Sequence, residues 1–91
     1  MLATWSVRTY NILLRNKIKV ETPEQAIAAG DMVAAGKIRN AGLKCATELY
    51  RAAGLGAYLI QEHLMFKKDF DTIVSWCEYL DRYVFHYDMR E

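Results

Sequence analysis

No uncharged apolar run in this chain approaches the roughly 20 residues that cross a bilayer, so a membrane-spanning helix is excluded. The opening residues lack the basic-then-apolar pattern of a signal peptide. Cysteine is scarce: Cys45 and Cys77 stand at no metal-like spacing, and reduced thiols in a cytoplasmic protein are the expected state. His63 and His86 lack partners at ligand spacing. There is no internal repeat, no low-complexity linker and no alternating apolar pattern of the strand type. No nucleophile–base–acid set, paired catalytic carboxylates or phosphate-binding glycine loop can be assembled. The expectation is therefore a protein that is not an enzyme and carries no cofactor or metal.

What is present is enough for one modest core. Of 91 residues, 53% are hydrophobic and 25% charged, the balance of a soluble globular chain. The net charge of +1 hides an asymmetry. Residues 1–56 hold eight cations against four anions, and residues 57–91 hold four against seven. A basic front and an acidic back suggest two surfaces with two tasks.

The spacing predicts a first helix over residues 5–17, capped by Thr4 or Ser6, with Val7, Tyr10, Leu13 and Leu14 facing the core. Arg8, Asn11 and Arg15 fall on a different, outward face. Thr22-Pro23-Glu24-Gln25 carries a capping box with proline at the first helical position. A short helix from there is expected to stop at Gly30, and Asp31 to cap another that stops near Gly36. A hairpin follows at Arg39-Asn40-Ala41-Gly42, where Asn40 and Gly42 tolerate left-handed backbone angles. The next helix should run from Leu43 to Ala53, bury Ala46, Leu49 and Tyr50, and end at Gly54-Leu55-Gly56. Its first amides and the positive end of its dipole would offer a place for an anion within reach of Lys44. The plainer alternative is an ordinary helix corner with a surface lysine.

Seven of the eleven aromatic residues lie between Phe66 and Tyr87. Phe70, Ile73, Cys77, Leu80, Val84 and Tyr87 continue from Phe66 in steps of four and three, an unbroken heptad seam flanked by Trp76 and Tyr83. Asp69 could cap a helix beginning at Phe70. Two readings of this tail stand. It folds back and completes the core, or Phe70, Ile73, Trp76, Cys77, Leu80, Tyr83, Val84 and Tyr87 pair with a second copy or a partner's helix. The expected fold is all-α: a compact helix-hairpin-helix module over 1–56 and an aromatic amphipathic helical extension over 57–91.

Two segments carry a family resemblance. Trp5-Ser-Val-Arg-Thr-Tyr-Asn-Ile-Leu13 resembles the first helix of the C-terminal domain of the bacterial RNA polymerase alpha subunit, worded there close to Leu-Ser-Val-Arg-Ser-x-Asn-Cys-Leu. Asn40-Ala41-Gly42-Leu43-Lys44-Cys45 is similar to that family's hairpin, Asn-Leu-Gly-x-Lys-Ser, at a like separation. Ile18 and Thr22-x-x-Gln25 also fall where the family has an Ile and a Thr-x-x-Glu-Leu helix. The likeness covers residues 2–55 and leaves the tail unexplained.

The resemblance implies a helix-hairpin-helix (SAM-like) fold that binds double-stranded DNA across the minor groove, preferring A-tracts, and docks on transcription factors. By resemblance, Arg8 enters the groove, Asn11 contacts the backbone beside it, and Gly42 and Lys44 contact phosphate. Ile12 stands where the family often has Cys, and Cys45 where it has Ser, so both fall at positions of its DNA-binding set. A thiol at 45 weakens one phosphate hydrogen bond. The implied protein is a free-standing, transcription-related DNA binder that dimerises or docks through its tail, on RNA polymerase or another factor. The alternative is a phage- or plasmid-borne module that mimics the polymerase domain and diverts its partners without touching DNA.

Overall fold

The computed structural model describes residues 5–64 and 70–85, which form a compact, all-helical globule with a radius of gyration of 12.1 Å. The order is α1 (Val7–Arg15), α2 (Pro23–Ala34), α3 (Leu43–Ala52), α4 (Ala57–Leu64) and α5 (Phe70–Tyr79), which runs on into a π-helical turn at Leu80–Val84. No strand occurs among the described residues. Helix α3 is the hub: α1, α2, α4 and α5 all pack against it. Cys45 to Tyr50 are buried without interruption, so more than one side of α3 faces protein.

Local chemistry sets most of the ends. Ser6 caps α1, its Oγ accepting from the Thr9 amide at 3.3 Å. The helix is shorter than the expected 5–17, because Lys17 turns left-handed (φ 57°) and closes the end after Asn16. At α2 the capping box is complete: Thr22 Oγ1 accepts from the Gln25 amide at 3.1 Å, and Gln25 Oε1 accepts from the Thr22 amide at 3.1 Å. Asn40 is left-handed (φ 62°), as its residue type suggests, but Gly42 is extended (φ −130°) and simply precedes α3.

Helix α2 corrects the two-helix expectation. It passes through Gly30 and Asp31 without a break. Glycine is there for close approach: a Cβ at position 30 would lie 2.8 Å from Cε1 of the buried Tyr50 ring. The intrinsic cost of a mid-helix glycine, about 1 kcal/mol, is offset by letting α2 sit directly on that ring. Asp31 caps nothing. Its Oδ1 accepts from the Tyr50 hydroxyl at 2.7 Å and lies 2.8 Å from His63 Nε2, linking α2 to α3 and α4. Those two partners, the Tyr50 hydroxyl first, hold the Asp31 carboxyl below its ordinary range, while burial pushes the Tyr50 phenol up.

One core cluster joins the described residues before Gly56 to the segment beyond. Ile12, Leu13, Ala26, Val33, Leu49 and Tyr50 share one cluster with Ile60, Leu64, Ile73 and Cys77. Of the seam for which fold-back and pairing with a partner both stood, Ile73, Cys77, Leu80 and Val84 are buried inside this chain, and Phe70 and Trp76 are half-buried. The fold-back reading is the one realised, and only Tyr83 of the described seam residues is mainly exposed. Arg51 fixes the arrangement: its Nε and Nη2 donate to the two carboxylate oxygens of Asp81, each at 3.1 Å. Phe85 meets Trp5 edge-on, with ring centroids 6.5 Å apart. Thr4, Asp69 and Tyr87, expected as caps and as a seam residue, lie outside the described residues.

Helix α1 brings the second correction. Of Val7, Tyr10, Leu13 and Leu14, only Leu13 reaches the core, and it does so beside Thr9 and Ile12. The inward face was hidden by a threonine. Thr9 is buried because its hydroxyl donates to Glu48 at 2.7 Å.

Candidate functional site

Glu48 organises the meeting of α1 and α3. It is 1% exposed, and its carboxylate accepts three hydrogen bonds: from the Ser6 amide (2.7 Å), the Ser6 hydroxyl (2.8 Å) and the Thr9 hydroxyl. A buried carboxylate is tolerated only when its oxygens are satisfied. Ser6 thereby caps α1 and bolts it to α3, so the position of Arg8 is set by a rigid polar joint.

Beside that joint opens a cleft of about 490 Å³. One wall is α1 with Arg8, another the start of α3 with Gly42, Leu43 and Lys44, and the far wall is α5 with Thr72, Trp76 and Tyr79. Gly42 has no side chain to cap α3, so nothing at that position takes up the first amides of the helix. No acidic residue lies in the first turn of α3. Among the described residues neither Arg8 nor Lys44 forms an ion pair. Lys44 Nζ instead sits over the Trp76 ring, 4.9 Å from its centroid. Trp76 stacks on Tyr79 (4.6 Å, 16° between planes), and Tyr79 leans on Tyr83 at 5.3 Å.

Arg8, Gly42 and Lys44 line one cleft, whose lining also includes the Glu48 carboxylate, already hydrogen-bonded to Ser6 and Thr9. Asn11 is exposed one turn beyond Arg8 but is not part of the lining. Ile12 is a core residue and cannot touch a ligand from the outside. Cys45 borders the cleft yet is 6% exposed, and burial pushes its thiol up from its ordinary value. Cys77 is pushed up to about 11 by burial, so both thiols behave as small core groups. Glu48, Trp76 and Tyr79 were missed as site residues of this edge. Glu48 had no local signal, and the two aromatics were legible only as part of an apolar tail.

No family model matches the chain, and neither curated proteins nor solved structures yield a match.

Proposed function

We propose that this chain is a small DNA-binding protein, built on a helix-hairpin-helix module like the C-terminal domain of the RNA polymerase alpha subunit. Arg8 would enter an A-tract minor groove, with Asn11 at its edge and the Gly42–Lys44 corner on phosphate. The observation that carries this reading is the common cleft of Arg8, Gly42 and Lys44, with no carboxylate paired to either cation among the described residues. A narrow groove concentrates negative potential and draws in an arginine. Amides and a lysine at a helix start hold phosphate without reading sequence.

Lys44 is already engaged by Trp76, so the energies must be compared. A partly exposed cation–π contact contributes about 0.5–1 kcal/mol, and a charge-assisted hydrogen bond to phosphate about 1.5–3 kcal/mol. Phosphate therefore draws the ammonium off the indole, and the indole reports the event by fluorescence. One module touching two or three phosphates binds weakly. Useful occupancy then needs a tether, either a second copy or a transcription protein such as RNA polymerase.

The test is a titration of A-tract and mixed-sequence duplexes at about 50 mM salt, wild type against Arg8→Ala and Lys44→Ala. Arg8→Ala should remove the preference for A-tracts, and Lys44→Ala should weaken both duplexes alike. Equally negligible affinity in every combination refutes the reading.

A further inference from the structure

The α1 residues expected in the core form an apolar stripe on its outside: Val7, Tyr10 and Leu14 are 77%, 53% and 63% exposed. Steps of three and four residues put them on one face about 10 Å long. Arg8, Asn11 and Arg15 run parallel to it, about 100° round the helix, and all three are exposed. Helix α1 contains no acidic residue, and Lys17 and Lys19 follow directly, both exposed. The result is a short apolar strip flanked on one side by Arg8, the neutral Asn11 and Arg15, with no acidic residue on the helix.

We propose that this strip docks an acidic amphipathic helix of a partner protein. Apolar side chains at i, i+3 and i+7 of the partner would lie along Val7, Tyr10 and Leu14, the spacing that helix recognition uses. Its carboxylates would meet Arg15, Lys17 and Lys19. Charge selects this occupant over a second copy, because pairing strip on strip brings two cationic, acid-free helices together, and like-charge juxtaposition opposes association. The inference is independent of DNA binding. Leu14 lies about 120° round the helix from the cleft-lining Arg8 and is not part of the cleft.

The full chain is titrated into a fluorescein-labelled helical peptide of about 16 residues, with leucine at i, i+3 and i+7 and glutamate on the flanks. Two control peptides replace the leucines by serine or the glutamates by lysine. Saturable binding of the acidic peptide alone is expected. Leu14→Ser and Arg15→Glu should each weaken it about tenfold, with circular dichroism unchanged because both positions are exposed. Leu14→Ser should leave duplex affinity unchanged, which separates failure here from failure of the DNA reading. Four outcomes overturn the proposal: no binding up to about 1 mM; equal binding of the serine control; a strip-dependent doubling of mass in sedimentation; or strip-dependent partition onto phosphatidylserine vesicles without peptide binding.

Discussion

Helix α1 and the α5 segment exchange the roles their apolar patterns suggest. The α1 stripe Val7, Tyr10 and Leu14 has the spacing of a core face and lies in solvent. The seam Ile73, Cys77, Leu80 and Val84 has the spacing of an association face and lies inside. Periodicity identifies a face but not what covers it. What decided α1 was polar: Thr9 and Ser6 are drawn inward by the buried carboxylate of Glu48, which turns Ile12 and Leu13 inward with them. What decided α5 was supply. Helices α3 and α4 present apolar surface that α5 covers, and Arg51 and Asp81 lock the join.

The largest break of this comparison is Leu80→Asp. Leu80 is fully buried, and an unpaired carboxylate there should cost more than about 4 kcal/mol, comparable with the whole stability of a small domain. Loss of the helical signal with no folded monomer left is expected by circular dichroism and light scattering. A folded chain of halved mass would mean that the seam joins copies.

Glu48→Ala comes next. It strands the Ser6 and Thr9 donors inside the protein, and a loss of about 3 kcal/mol is expected in denaturant titration. Serine substitutions at adjacent positions sharpen the contrast on α1 itself. Leu13→Ser should cost about 3 kcal/mol, while Leu14→Ser should change stability by less than about 0.5 kcal/mol. Equal costs would mean that the face is wrongly assigned.

The smallest effect is in acid. The Tyr50 hydroxyl and His63 hold Asp31 below its ordinary value. A depressed carboxyl contributes stability above its unfolded value near pH 4, and that contribution is lost as pH falls through the lower folded value. Asp31→Asn should therefore lower stability at pH 5 and converge on the wild type in acid strong enough to protonate the folded carboxyl. The side chain is half exposed, so solvent screening keeps the effect small. Parallel curves in the two conditions would contradict the assignment.

Elements with local signals were legible. The Thr22–Gln25 capping box, Pro23, the start of α3 at Leu43, its end near Gly54 and the helical character of 70–84 follow from neighbours in sequence. Arg8, Gly42 and Lys44 were singled out by the family resemblance, and the structure places them along one cleft. The rest is long-range. Gly30 looked like a stop because its reason, the Tyr50 ring, comes twenty residues later. Asp31 looked like a cap because its partners are on α3 and α4. The aromatic wall opposite Lys44 needs α5 to return across the start of α3, which no local pattern encodes.

The most direct measurement is the salt dependence of duplex binding for wild type and Lys44→Ala. If Lys44 leaves the Trp76 ring for a phosphate, the plot of log affinity against log salt should flatten by about 0.9 in the variant, with a change in tryptophan emission on binding in the wild type alone. An identical slope and the same emission change in both proteins would contradict a DNA-binding edge at this cleft.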